Sequence, residues 1–420
     1  MIIIVSAASI IAYIVSLIKF TNKKIQQQLV FLIIYLIGLT IIGELDVLLP
    51  IYFVVSLLPF IKHIRRISVF TGAISVYFGL YLLYGIINQN LTGTLVTFIA
   101  KMWQFIVFFV VYDADINIEE ENLKKIIGLA VITETLLGFY LMATSTNIDA
   151  NGLVRLVSNA QPITGNISTV ILPITVYFYL NNRDNSKQTK WLLRVNIIMF
   201  IWIVLSGTRG YTLEFVATMM IIFYDYFTNE KVNEISKKNR RITIVFVILI
   251  SLIGVMVIPQ ILEKIESVLR LKSSVGIRTY ENAAVKEFLK NAPLFTTLFG
   301  IGLGGRGGDC ISMRDALYRQ FSLGMWGRKH YLYDSGALFH NLYANVIMCM
   351  GIIGIFVLVC INIEIWKRIT YSCKDKIWIR RIMHLFQLSF LLMNYYRWSA
   401  VCGIAEMIIF ALILKKLKYR

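Results

Sequence analysis

Charge is scarce in this sequence, and negative charge is scarcest of all. Only 16% of the 420 residues are Asp, Glu, Lys or Arg, and 24 acidic side chains face 42 basic ones, for a net charge of +18. Soluble domains carry about a quarter of their residues as charge, so the composition excludes that class. Nucleic acid is excluded as a partner as well, because the positive charge is dispersed in short segments between apolar runs instead of gathered on one polar face. The five cysteines, Cys310, Cys349, Cys360, Cys373 and Cys402, lack metal-ligand spacing, and only Cys310 falls in a segment expected outside the cell. Neither a zinc site nor a disulfide framework is supported. There is no repeat with a period of about 20 to 50 residues and no low-complexity tract. The glycine run 300–308 lacks the Gly-Lys-Ser/Thr ending of a phosphate loop. The apolar run 2–18 has no basic residue before it and no cleavage site after it, so it reads as a retained helix.

What the sequence has in quantity is hydrocarbon. Hydrophobic residues make up 57% of the chain and the mean hydropathy is +0.70. A helix needs about 20 apolar residues to cross a hydrocarbon core roughly 30 Å thick. Runs near that length fall at 2–18, 29–43, 47–61, 67–88, 91–112, 126–144, 167–181, 192–206, 211–228, 242–259, 341–365, 382–396 and 398–414. They predict an all-α polytopic membrane protein of 12 or 13 transmembrane helices embedded in a lipid bilayer. The runs 29–43, 47–61 and 382–396 reach only about 22 Å, which keeps the lower number open.

Basic residues recur in alternate connections, at Lys19, Lys23 and Lys24, at Lys62, Arg65 and Arg66, at Lys124 and Lys125, at Arg183, Lys187 and Lys190, across 231–241, across 367–381 and in the tail from Lys415 onward. The positive-inside rule makes these connections cytoplasmic. The C-terminus is then inside and, with thirteen helices, the N-terminus outside. Three regions follow: 1–259, with ten helices and an outer loop at 145–166; a large extracytoplasmic loop at 260–340; and the C-terminal helices and cytoplasmic tail at 341–420. The large loop carries eleven Lys and Arg against seven Asp and Glu. Long loops escape the charge rule, so its basicity asks for another cause. Apolar spacing predicts short helices at 262–271 and 279–289, stopped by Asn291-Ala292-Pro293 and followed by a glycine-rich stretch read as flexible.

Against this topology, a few residues stand out. Arg209, in Ser206-Gly207-Thr208-Arg209-Gly210, falls on the outer face, where positive charge has no topogenic purpose and a guanidinium fork suits phosphate oxygens. Snorkelling toward headgroups is the plainer alternative. Arg155 sits among Leu153, Val154, Leu156 and Val157 in the smaller outer loop, and is either an ordinary solvated side chain or the seeker of an anion. Arg278 opens the second loop helix, where a salt bridge to Glu281 or Glu266 is the simpler role. Of the four histidines, His63, His330 and His384 have addresses that suggest no chemistry. His340 stands where the large loop re-enters the membrane, a place for a general base. Asp113-Ala114-Asp115 offers two carboxylates that a divalent ion on a diphosphate would accept, although an acidic cytoplasmic loop simply continues from there.

In order, Val154-Arg155-Leu156 to Thr164-Gly165-Asn166, then Ser206 to Gly210, then Arg278-Thr279-Tyr280 with Asn291 to Phe295 and Phe299 to Gly304, then His340-Asn341-Leu342-Tyr343 and Met350 to Gly354 resemble the bacterial O-antigen polymerase and O-antigen ligase superfamily. The resemblance covers roughly residues 126–365. It implies a metal-independent, cofactor-free, inverting glycosyltransferase of the C-type membrane fold, with the active site on the extracytoplasmic face of the bacterial cytoplasmic membrane. The implied substrate is an undecaprenyl-diphosphate-linked oligosaccharide, polymerised into O-antigen or capsule, with a chain-length regulator as a further partner. By the same resemblance Arg209 and Arg278 bind the diphosphate, Arg155 adds a third contact and His340 deprotonates the acceptor. Tyr280, Asp334 and Asn341 orient histidine or glycan, and Arg397 contacts the lipid phosphates. Competing readings are a ligase acting on a lipid A core, a transporter or flippase of lipid-linked sugars, and a peptidoglycan polymerase of the shape and division family, in which Asp334 would take the catalytic part. A transporter predicts helices broken near the bilayer midplane, and these spans read as mostly uninterrupted.

Overall fold

The computed structural model describes residues 60, 63–89, 91–144, 147–148, 154–155, 165–180, 186–205, 209–228, 282, 285–286, 288–305, 341–396 and 401–418. These residues are overwhelmingly helical. In chain order they form α1 (Val69–Asn88), α2 (Leu91–Lys101), α3 (Trp103–Asp113), α4 (Glu120–Thr144), α5 (Gly165–Leu180), α6 (Lys187–Leu205), α7 (Arg209–Thr228), α8 (Leu294–Phe299), α9 (Leu342–Ser372), α10 (Ile377–Tyr396) and α11 (Val401–Lys418). The exception is a two-residue antiparallel ladder between α4 and α5, β1 (Asn147–Ile148) with β2 (Val154–Arg155), which helical periodicity could not reveal. The expected spans 2–18, 29–43 and 242–259, and 47–61 apart from Phe60, lie outside the described residues.

Helix α3 is apolar all round, and every residue from Trp103 to Val111 is buried. A helix without a polar face belongs at the centre of a bundle. There α11 packs along it, with Phe108 and Phe410 ring centroids 5.6 Å apart and Phe410 in turn 4.5 Å from Phe386 of α10. Around this axis α4 packs on α6, α5 on both α6 and α7, and α10 on α7 and α9. Among the described residues α1 and α9 are long and apolar enough to cross a membrane, and α2 with α3 would make a third crossing if taken as one bent span.

Two expectations of straight spans fail. The run 91–112 folds as α2 and α3, bent by 51° near Met102. Within α9, Gly351 leaves helical geometry at φ 65° and ψ −162°. At the second break the described part of the glycine-rich stretch, 300–305, is docked against the helix where flexibility was expected. After α8 the chain turns at Gly300, and its N–H groups replace those the broken helix has lost: Ile301 donates to the Met348 carbonyl at 2.9 Å and Gly302 to Cys349 at 3.0 Å. The carbonyls of the stretch are met by side chains of α1, its C-cap and α2. Tyr84 reaches Gly300 at 3.2 Å, Gln89 reaches Ile301 at 2.8 Å and Thr94 reaches Leu303 at 2.8 Å, while Tyr81 donates to Met350 at 3.1 Å. Residues 302–305 are buried. Glycine is required at both crossing points for close approach. A Cβ on Gly351 would lie 2.3 Å from the Leu298 carbonyl oxygen, and one on Gly300 2.3 Å from the Cys349 carbonyl carbon.

Alanine at Gly351 therefore combines a left-handed backbone with a steric clash, a cost of about 2 to 4 kcal/mol. In detergent, thermal unfolding of Gly351→Ala is expected well below that of the parent protein. Gly79→Ala is the control, since a Cβ there meets nothing within 4 Å in a helix interior; it should be neutral or raise stability by up to about 1 kcal/mol. Equal melting of the two variants would show that the docked stretch bears no structural weight.

Candidate functional site

Helix direction decides which ends share a face. Arg368 near the end of α9 bonds both Asp113, at the end of α3, and Ser68, at the start of α1. Lys124 near the start of α4 donates to Thr189 near the start of α6 at 2.9 Å. Short connections then reverse the chain between α5 and α6, α6 and α7, and α9 and α10. One end of the bundle thus collects Arg65, Lys124, Lys187, Lys376 and Lys415, the residues assigned to the cytoplasm by the charge rule. The opposite end collects the start of α5, the start of α7 with Arg209, and the start of α9 with Asn341. Arg155 lies in the strand pair that joins α4 to α5 on that same side. Its side chain and that of Arg209 lie outside the description, as do Arg278, Tyr280, Asp334, His340 and Arg397 entirely.

Asn341 is the best-defined member of the proposed set. It is 1% exposed and caps α9, its Oδ1 accepting from the Tyr343 N–H at 2.9 Å. Its Nδ2 donates to Oδ1 of Asn282 at 3.1 Å. Asn345, also buried, returns to the Asn341 carbonyl from both its backbone N–H and its amide. The Tyr343 hydroxyl donates to the Leu391 carbonyl at 2.9 Å and ties this corner to α10. The contact with Asn282 joins two separated motifs. Asn282 closes the run Arg278-Thr279-Tyr280-Glu281-Asn282, and Asn341 directly follows His340.

Asn282 is not singled out by the sequence; a polar residue two places beyond a candidate tyrosine carries no periodic signal. Two carboxylates were also overlooked. Glu214 in α7 is 3% exposed and Glu406 in α11 is fully buried. A lone carboxylate inside an apolar run is itself a signal, because burying it demands partners or protonation.

The Asp113-Ala114-Asp115 pair resolves differently from a metal site. Asp113 accepts from Arg368 Nη1 at 2.7 Å, from Thr71 Oγ1 at 2.6 Å and from the Ser68 N–H at 3.0 Å, while Asp115 pairs with the exposed Arg65 at 3.2 Å. Arg368 also donates to Glu364 at 3.1 Å and packs 4.7 Å from the ring centres of both Phe109 and Tyr112. Its charge, counted in the sequence among the cytoplasmic basic residues, is buried and fully engaged. Lys415 is likewise buried, and burial pulls its pKa from 10.5 down to about 8, with Lys418 adding to the fall and Asp115 and Asp113 opposing it.

No protein-family model matches the chain, and no curated protein matches it significantly. Its chemistry has to be read from its own residues and their placement.

Removing one partner of a buried ion pair costs about 3 to 5 kcal/mol, against at most about 1 kcal/mol for an exposed pair. Arg368→Met is therefore expected to destabilise strongly and Arg65→Ala hardly at all, with Arg368→Met/Asp113→Leu recovering much of the loss; thermal unfolding of the four proteins checks this. Lys415 sets a pH dependence. Between about 8 and 10.5 the unfolded chain holds a proton that the folded chain has released, so its contribution to stability rises through that window and is flat below it. Unfolding measured from pH 7 to 10.5 should show a smaller rise in Lys415→Met than in the parent.

Proposed function

We propose that this protein is a polytopic transferase of the bacterial cytoplasmic membrane that polymerises lipid-linked glycan repeat units at the extracytoplasmic face. The observation that carries the reading is the common placement of the Arg209 helix start, the Arg155 strand pair and the Asn341 cap at the bundle end opposite the lysine-rich one. The C-type glycosyltransferase architecture with 12 or 13 crossings belongs to the same proposal.

In this reading Arg209 and Arg278 bind the diphosphate of the donor, with Arg155 as a third contact and Arg397 toward the lipid phosphates. His340 takes the proton of the acceptor hydroxyl. The oxygen so freed attacks the anomeric carbon, the bond from that carbon to the diphosphate oxygen breaks, and the glycan passes to the acceptor with inversion. Charge that accumulates on the departing diphosphate is met by fixed guanidinium groups, which is electrostatic catalysis without proton transfer to the leaving group. Asn341 anchors the segment beside His340, and Asn282 links it to the segment bearing Arg278 and Tyr280; Asp334 serves as orienting group. A lipid A core as acceptor would turn the same chemistry into ligation.

The breaks between α2 and α3 and at Gly351 favour a transporter more than the sequence did. Against that, the carbonyls freed at Gly351 are occupied by the protein's own loop, and they do not line an open path. Purified protein in nanodiscs, supplied with undecaprenyl-diphosphate repeat units, separates the readings. The parent should lengthen the glycan, and His340→Ala should lose about 10² to 10⁴ of the rate while still binding the lipid-linked substrate. Unchanged product length in His340→Ala would remove the proposed base. Binding with no elongation by the parent, for any acceptor, would favour transport.

A further inference from the structure

Between α9 and α10 an apolar groove of about 510 Å³ opens on the outside of the bundle. Its walls include Ile355, Val359 and Ile363 of α9 and Leu388 of α10, and Lys367 closes one end. Val359 and Ile363 are each 50% exposed and Leu388 48%, so the groove faces whatever surrounds the helices. Helix α9 is long and apolar enough to cross a membrane, and with α9 crossing as proposed above that surrounding is lipid. At its floor the Gln387 amide donates to the Asn362 carbonyl at 2.8 Å, which holds the two helices together while their outer faces diverge.

The groove reaches Tyr343 at its far end, and the stretch that begins at Lys367 identifies its occupant. From Lys367 to Ile355 is twelve residues of α9, a rise of about 18 Å, close to one leaflet of a roughly 30 Å hydrocarbon core. Lys367 lies at the basic end, beside Trp366, whose indole stacks on His384 with ring centroids 3.5 Å apart and stays 43% exposed. A half-exposed tryptophan next to a lysine marks the level of the headgroups. The adjacent cations have opposite fates. Arg368 turns inward and takes both nearby carboxylates, Asp113 and Glu364. Lys367 is exposed, and among the described residues it has no acidic partner. An unpaired cation at the headgroup end of a hydrocarbon groove that runs at least the length of a leaflet is complementary to one class of molecule, a phospholipid with net negative charge.

We propose that the α9–α10 groove is a binding site for an anionic phospholipid of the cytoplasmic leaflet, its phosphate against Lys367 and one acyl chain along Ile363, Val359 and Ile355. Lys367 lies at the other end of the bundle from the proposed glycan chemistry while the groove reaches Tyr343 at its far end; assignment to the cytoplasmic leaflet rests on the membrane topology proposed above, and lipid retention is read without any glycan transfer. A zwitterionic phospholipid supplies the chain and a phosphate but also an ammonium group that offsets the phosphate's attraction to Lys367, so preference for the anionic class follows from that one side chain.

The test is native mass spectrometry of the full-length protein released from nanodiscs of phosphatidylcholine mixed with phosphatidylglycerol. The parent should retain phosphatidylglycerol in preference to phosphatidylcholine. Lys367→Gln should weaken that retention about fivefold, the loss of one lysine at a membrane surface. Val359→Trp, which fills the groove, should abolish it, and Ile363→Trp provides a second blocking variant if the first misfolds. Lys374→Gln, exposed in the turn beyond the groove, should behave as the parent. Retention that is the same in all variants, or equal for both lipids, would overturn the proposal. So would retention that falls with Lys367→Gln but survives both tryptophans, since the attraction would then be to the charged surface alone.

Discussion

The rest of the structure depends on an exchange of backbone hydrogen bonds at Gly351. A helix that breaks inside hydrocarbon strands polar groups that no water can reach, and each such group costs several kcal/mol by order of magnitude. Here the lost donors are replaced by the N–H groups of Ile301 and Gly302. The incoming stretch brings carbonyls of its own, and these are met by Tyr84, Gln89 and Thr94. Helix α9, α1, α2 and the large loop are therefore mutually obligatory: removing any one leaves buried groups of the others unpaired. This accounts for glycine at the crossing points, where closeness matters more than freedom of motion.

The other end of the bundle meets the same constraint with charge. Arg368 is held by two carboxylates, two hydroxyls and two aromatic faces, drawn from α1, α3 and α9. A guanidinium can serve so many partners because its donors lie in one rigid plane. Lysine at 367 and 415 shows the contrast within the same region, one exposed beside a hydrocarbon groove and the other buried with a depressed pKa. Positive residues that a topology rule treats alike thus divide into clamp, buried cation and free charge according to which helix face each occupies.

Much of the helical layout was legible because hydrophobic runs and helix boundaries share one cause, the length of chain that must be kept from water. Nine expected spans fall on described helices, with 126–144 inside α4 and 398–414 close to α11. What escaped was everything set by contacts distant in sequence. The break at Gly351 is dictated by Leu298, some fifty residues earlier, and nothing in Met350-Gly351-Ile352 alone distinguishes a kink from an ordinary membrane glycine. Asn282 acquires meaning only through Asn341. Of the proposed site, Asn341 is seen in full, Arg155 and Arg209 as backbone, and the remaining residues lie beyond what is described.

The docked loop also bears on how the proposed glycan transfer could work. A reaction between two lipid-linked glycans demands that base and diphosphate ligands, carried on different segments, be held in register before the substrates meet; orientation of this sort is worth about 7 to 11 kcal/mol when complete. A mobile loop would surrender that advantage at every turnover. Fixing Phe299 to Leu303 against α1, α2 and α9 anchors the C-terminal side of the segment bearing Arg278, and the Asn282 to Asn341 bond ties that segment to the residue after His340. Rigidity near Gly351 is thereby passed to the end of α9 at which the chemistry is proposed.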